Sequence, residues 1–405
     1  MITKTYTKFV SRMFKENLVR LLLIGALTGI STALVAGLGT VAPRLRRTTE
    51  YLRNLGFEEL HQHDFLADGI ERISFVFPMF FILVTALVVF MTITRLIETD
   101  RSQIGCLKTL GFSKSHIMFK YLLFTAVASF GGNLGGLLFG YYVFYPIIFA
   151  SITELLYLPT VGSVFPTFGL VAAIITFVFS LLVTFITVLI TVRGKPAKLL
   201  RGRPPSHGGK ILFERMPLFW NRLPFRYKSS LRNIFRYRVR FFMTVFTMLF
   251  STALVFSGIS LSFALEYTNP YLMDTVRPIS TIIVIAAVLL NAMVIYNITN
   301  INIEERKREM ATLMVLGYRN IEVSGYIFRE IFILTIFGVA AGLPMGYLMI
   351  DLIFEYLMFG GIEFVDWYVW IITTVLAFSS LALANLLLFR KIHNTDMNSS
   401  LKTIE

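Results

Sequence analysis

The chain has 405 residues, 56% hydrophobic and 15% charged, with a mean hydropathy of +0.70 and a net charge of +14. Soluble domains carry about 45–50% apolar and about 25% charged residues, so the composition excludes an ordinary soluble domain and requires a polytopic membrane protein. A single cysteine, Cys106, excludes an intrachain disulfide, and the positive charge reads as the basic bias of cytoplasmic loops, not as a nucleic-acid surface.

Met1–Asn17 is basic and mildly amphipathic, with Phe9, Met13 and Phe14 among Lys4, Lys8, Arg12 and Lys15. It reads as an interfacial helix leading into the first span, about Leu18–Thr40. No Ala-x-Ala-like cleavage site follows, so the span reads as uncleaved. Residues 41–72 form the longest external connection, read as extending span one in a short stalk and then returning, and too short for a core of their own. Span two is about Ile73–Ile97, and a polar cytoplasmic stretch follows to Lys120. Span three runs from about Ile117 to Phe144. Tyr145–Pro166 reads as an external loop broken by Pro146 and Pro159. Span four is about Thr167–Val192.

Arg193–Arg240 carries one acid, Glu214, among many Lys and Arg, and reads as a basic cytoplasmic linker with an amphipathic lead-in. Its basic residues could meet anionic headgroups. Span five is about Phe241–Leu261, with a short external turn at Glu266–Arg277. Span six is about Pro278–Asn300, and a second polar stretch follows. Span seven is about Ile327–Ile353, the next external turn is Phe354–Asp366, and span eight is about Trp367–Phe389 before a polar tail. The expected organisation is a first half over 1–192, a linker over 193–240, a second half over 241–390 and a tail over 391–405. On this reading only Arg44, Arg46, Arg47, Arg53, Arg72 and Arg277 of the 38 Lys and Arg lie outside. That asymmetry places both termini in the cytoplasm.

The two polar stretches match. Arg101–Gly111, RSQIGCLKTLG, aligns with Lys307–Gly317, KREMATLMVLG, at an offset of 206, and Gly136, Gly140 and Tyr141 fall on Gly342, Gly346 and Tyr347 at the same offset. Ser31–Val35, STALV, recurs as Ser251–Val255 at an offset of 220. Ordered matches with one length change in a loop point to duplication, with two parallel four-helix halves. Each polar stretch predicts a short helix with one apolar and one charged face, stopped by Gly111 or Gly317. A solvated loop needs no apolar face, so the pair reads as a docking surface.

Other constellations carry less. The HGGK stretch at His207–Lys210 lacks the spacing of a phosphate-binding loop, so no ATP site is expected in this chain. His61 and His63 with Asp64, Glu58 and Glu59 read as a solvated loop, with no metal. Asn133, Asn291 and Asn297 read as interhelical hydrogen-bonding residues. Trp367, Tyr368 and Trp370 read as an interfacial belt. The spans hold almost no ionisable residues, against a proton-driven carrier.

The stretches EERKREMATLMVLGY and RSQIGCLKTLGFSK, with the linker from KPAKLLRGRPPSHGGK to RYRVRFFMTV, resemble the FtsX-like permeases of the MacB/FtsX superfamily. The linker is similar to that of the two-repeat permeases of Gram-positive bacteria. The resemblance implies an all-α fold of eight transmembrane helices in two FtsX-like repeats, with short cytoplasmic coupling helices, in a bacterial plasma membrane. It implies a non-enzymatic permease subunit of an ABC-type complex. Two copies of a separate ATPase, which holds the ATP and Mg, would drive transport or mechanotransmission. Carried over by position, the ATPase-coupling residues are Ile104, Leu107, Leu110 and Gly111 in the first copy, and Glu305, Arg308, Glu309, Leu313, Leu316 and Gly317 in the second. No catalytic, cofactor or metal residue is implied in this chain, and no nucleic-acid partner. Relatives usually carry a large domain between the first two spans; here residues 41–72 replace it, so substrate recognition cannot be carried over and would rest in the spans or an accessory subunit. Two alternatives stand beside this reading: a non-transporting scaffold or regulator of envelope enzymes, and a secondary carrier.

Overall fold

The computed structural model describes residues 10–56, 61–156, 165–200, 214, 224–236, 238–268, 270–357 and 365–393. The expectations for the N-terminal lead before residue 10, most of the basic linker with its HGGK stretch, and the tail beyond 393 lie outside the described residues. So do the side chains of His61, His63 and Arg308.

All described elements are helical, and eight helices are long and apolar enough to cross a membrane. The first group of spans is α1 (Leu18–Asn54), α2 (His61–Thr99), α4 (Lys114–Phe139) and α6 (Thr167–Val192), with a short polar helix α3 (Arg101–Thr109) between α2 and α4. A helix α5 (Tyr145–Leu156) prolongs α4, and α7 (Pro196–Leu200) follows α6. The lead-in helix α8 (Phe225–Arg236) opens the second group. Its spans are α9 (Arg238–Thr268), α10 (Pro270–Glu305), α12 (Asn320–Leu357) and α13 (Trp367–His393), with the polar helix α11 (Lys307–Val315) between α10 and α12. In each group the first two spans are the more buried, and the third and fourth turn more of their surface outward.

Connections expected as loops or turns are largely helical, including 266–268 and 270–277 of the turn between α9 and α10. At 37 residues, α1 is about 55 Å long at 1.5 Å per residue, well beyond the ~30 Å of bilayer hydrocarbon. With the start of α2 it forms a helical stalk, over residues 41–54 and 61–72. Leu45, Ala67 and Ile70 are buried along it, in the same cluster as the spans. Arg46 pairs with Asp68 at 2.8 Å and Arg53 with Asp64 at 3.0 Å. The external segment starting at Tyr145 is likewise helical as far as Leu156. A π turn at Gly140–Phe144 shifts the hydrogen-bond register just ahead of Pro146. The proline, which has no N–H to give, thus enters in the first turn of α5 where none is needed.

Matched positions in the two groups make matched contacts. Ser31 of α1 bonds Thr85 of α2 at 2.7 Å, and Ser251 of α9 donates to Asn291 of α10 at 2.9 Å. Glycines admit close packing between α1 and α4 and between α9 and α12. A Cβ on Gly132 or Gly136 would strike the backbone oxygen of Gly25 or Gly29, and one on Gly342 would come within 2.8 Å of the Leu249 oxygen. Gly131 and Gly135, one residue away, have nothing within 4 Å. We therefore expect Gly136→Ala to cost about 1–3 kcal/mol through overpacking. Gly131→Ala should be neutral or stabilising by up to ~1 kcal/mol. Thermal unfolding of the two variants in one detergent checks the contrast.

The asparagines expected to bridge helices do so. Asn133 accepts from Thr32 at 2.9 Å and donates to the Ala173 carbonyl at 2.9 Å. Asn297 of α10 donates to Thr92 of α2 at 2.8 Å, joining the two groups across the core.

Candidate functional site

The polar helices α3 and α11 occupy the same end of the bundle as the α2–α4 and α10–α12 junctions, and they begin and end at matched positions, 206 residues apart. Each stops in the same way. Gly111 has φ 87° and Gly317 φ 92°, in the left-handed region that favours glycine. The Phe112 amide reaches back to the Leu107 carbonyl at 3.0 Å, and the Tyr318 amide to the Leu313 carbonyl at 3.1 Å. These six-to-one bonds form a Schellman motif, and they turn the chain sharply into the third span of each group.

One face of each helix is inward. Ile104, Gly105 and Leu107 are buried on α3. Ile104 and Leu107 pack with Leu96, Ile117, Tyr121 and Val192. Gly105 admits α7: a Cβ there would lie 3.0 Å from the Leu200 side chain. Lys108 ties α3 to the end of α6, donating to the Val192 carbonyl at 2.8 Å and the Gly194 carbonyl at 2.5 Å. Burial and the neighbouring Lys114 charge lower its pKa. On α11 the matched positions Met310 and Ala311 are buried, Leu313 is half-buried, and Met314, which matches Lys108, is buried.

The other face is outward. Leu110 is 68% exposed and its counterpart Leu316 is 70% exposed. Gly111, Glu309 and Gly317 are exposed, and Leu313 is half-buried. The ten residues expected to meet a partner are therefore placed differently. Leu110, Gly111, Glu309, Leu316 and Gly317 reach the surface. Ile104 and Leu107 face their own bundle, and their role in the structure is packing. Glu305, the last residue of α10, pairs with Arg95 of α2 at 3.2 Å. It joins the two groups of spans. Exposed residues not singled out from the sequence add to the surface: Val315, Tyr318 and Ile321 beside α11, and Cys106 on α3.

Charges anchor each polar helix at its start, and the two anchors have opposite polarity. The residue before α3 is Asp100, which accepts from the Tyr121 hydroxyl at 3.0 Å and faces the Lys120 ammonium at 3.6 Å. The matched residue before α11 is Arg306. It binds Glu330 of α12 through two nitrogens, at 2.7 and 2.5 Å, and Asn233 of α8 adds a bond to Glu330 at 3.1 Å. Burial works against the Arg306 charge, but Glu330 more than offsets this and raises its pKa. The offset of 206 places Asp100 on Arg306, so the inversion of sign was visible in the sequence; the partners were not. Next to these anchors, Arg20 of α1 pairs with Glu304 of α10, a second link between the groups.

Geometrically, the site is a pair of short amphipathic helices, each anchored at its start, each presenting an exposed leucine on its outward face. The family model described as FtsX-like permease C-terminal matches residues 75–194 and 280–397. Each segment runs from the second span of a group, through its polar helix, to the fourth span and just beyond. No curated protein and no solved structure matches the chain.

Proposed function

This chain belongs to the FtsX-like permease family, which implies a membrane subunit of an ABC-type transporter, and on that premise we propose that α3 and α11 are coupling helices for a separate ATPase. Two ATPase copies dock beneath one chain, which acts as a pseudo-dimer. ATP-driven closure of the ATPases pushes on α3 and α11, and the long helices α1, α2, α9 and α10 carry the movement to the far side. The membrane is a bacterial plasma membrane, with both termini and both polar helices in the cytoplasm. The observation that carries the reading is the matched pair of exposed leucines, Leu110 and Leu316, on helices with matched bounds and matched Schellman ends. Exposed apolar side chains on an outward polar face favour a protein partner. The shared Schellman ends and the buried anchors make both helices rigid enough to transmit force.

Among the described residues, the buried charges Arg20, Arg95, Asp100, Lys120, Arg306 and Glu330 cluster near the junctions with the polar helices. A proton-driven carrier would need such groups along a path through the spans. The test is affinity purification of the chain in nanodiscs with identification of every co-purifying protein. An ATPase whose activity rises when bound is the expected result, and Glu309→Lys, a charge reversal on the exposed face, should weaken its retention. Recovery of the chain without any ATPase would favour a scaffold. Transport that follows an ion gradient and survives ATP depletion would favour a carrier.

A further inference from the structure

The two groups differ most beside the first polar helix. A polar pocket of about 170 Å³ lies between residues 12–17 ahead of α1, the start of α3 and the start of α4. Lys120 and Asp100 supply a buried cation and carboxylate, Arg12 and Glu16 an ion pair at 2.7 Å on the exposed rim, and Asn17 and Gln103 two amides. Lys120 is only 2% exposed. Among the described residues its ammonium faces the Asp100 carboxylate at 3.6 Å, which is beyond hydrogen-bond length, the Tyr121 ring at 5.2 Å, and the pocket in front of it. A buried ammonium with incomplete hydrogen bonding is costly unless something completes it. At the matched place in the second group, Arg306, Glu330 and Asn233 bond one another closely. Tyr326 stands where Lys120 would be.

Farther along α1 and α4 lies an apolar groove of about 550 Å³, walled on its third side by Ile285 and Leu289 of α10. It runs from Leu21 to Ala33 on α1, about 18 Å at 1.5 Å per residue. Leu21 and Leu22 line one end, and Phe139 and Phe144 the other. A spanning helix covers the full ~30 Å of hydrocarbon, well beyond the length of the groove. A hydrocarbon chain fits. Gly131 and Gly135 line the groove, yet a Cβ on either would touch nothing. They serve no helix packing, and their missing side chains leave the groove open. At the matched positions of the second group, Phe337 replaces Gly131 and Phe246 replaces Ala26.

We propose that pocket and groove together hold one phospholipid with an amine-bearing headgroup, from the leaflet on the α3 side. The phosphate meets Lys120 and Arg12, the amine meets Asp100 and Glu16, and one acyl chain lies in the groove. Both cavities follow one another in the same order along α1 and α4, as headgroup and chain do in a lipid. The zwitterionic headgroup matches a pocket with two charges of each sign. Because Asp100 opens α3, the lipid braces the first polar helix as Asn233 and Glu330 brace the second.

The test uses the full chain in nanodiscs of phosphatidylcholine doped with phosphatidylethanolamine or phosphatidylglycerol, read by native mass spectrometry and by thermal unfolding. The wild type should retain phosphatidylethanolamine selectively and unfold at a higher temperature with it. Lys120→Met should lower that retention about tenfold, the loss of one charge-assisted hydrogen bond. Lys120→Arg should keep most of it. Gly131→Phe, whose Cβ meets nothing, should reduce retention without lowering stability in phosphatidylcholine, while Tyr326→Met should leave retention unchanged. Four results would overturn the proposal: equal retention of all three lipids, preference for phosphatidylglycerol, selectivity that survives Lys120→Met, or a protein chain recovered in the groove. Equal protection by soluble glycerophosphoethanolamine would also overturn it, because the acyl groove would then have no part. None of these readouts depends on an ATPase, so failure here leaves the proposed coupling function separately testable.

Discussion

Glu330→Ala is expected to be among the most destabilising single substitutions in the described chain, costing about 3–5 kcal/mol. Arg306 and Glu330 keep only 8% and 6% of their side-chain surface exposed. Removing one partner of such a pair leaves the other charge buried without compensation, and that is the expensive change. The pair is also bidentate and joined by Asn233, so three elements lose a shared anchor at once. Thermal unfolding in a fixed detergent measures the loss. A second variant separates loss of the pair from loss of shape: Arg306→Asp with Glu330→Lys installs the polarity of the first group. The double variant should recover a substantial part of the stability lost by Glu330→Ala. Unchanged stability in Glu330→Ala would show that the pair holds nothing. A double variant worse than both single variants would show that sign alone does not make the anchor. If α11 transmits force, Glu330→Ala should also lower ATP-driven activity at temperatures where the protein is still folded.

Much of this fold is legible in the sequence because bilayer physics simplifies the text. A span must be long and apolar, so the eight helices are visible from hydropathy. The two polar helices stand out because they interrupt it, and the repeat fixes their ends to the residue through Gly111 and Gly317. The stalk was legible in outline only. Residues 41–72 read as a connection that extends span one and returns, while the pairing of Arg46 and Arg53 with acids across it was not visible. Pro146 looked like a breaker, and the π turn before it lets the helix continue. The site was half visible. Apolar periodicity identifies a face on α3, but cannot say whether it meets the chain's own bundle or a partner. Ile104 and Leu107 went inward for that reason, and Leu110 outward. The links Arg20–Glu304 and Arg95–Glu305 join residues far apart in sequence. Which spans touch across the two groups is set by packing of whole helices, and no local pattern encodes it.

The exposed leucines carry the second large effect. Leu316→Asp should abolish retention of the ATPase and uncouple its hydrolysis from the permease, while Leu110→Asp should weaken retention less. An exposed leucine that becomes buried on docking contributes about 1.5–3 kcal/mol through its apolar surface, and a carboxylate there would be desolvated without a partner. A central contact of that kind costs 2 kcal/mol or more, roughly thirtyfold in affinity. The asymmetry follows from the neighbours. Leu316 stands beside Val315 and Tyr318, all more than half exposed, so α11 offers a continuous apolar patch. Leu110 stands beside the exposed Thr109 and Gly111, which add little apolar area. The α11 contact should therefore dominate affinity, with the α3 contact completing the stroke. Both side chains lie on the surface, so neither change should move the unfolding temperature by more than the ordinary surface effect of about 0.5 kcal/mol. Retention of the co-purified ATPase on an affinity-tagged chain, with ATPase rate as the second readout, decides the matter. Equal loss at the two sites would refute the asymmetry, and full retention in the double variant would remove α3 and α11 from the docking surface altogether.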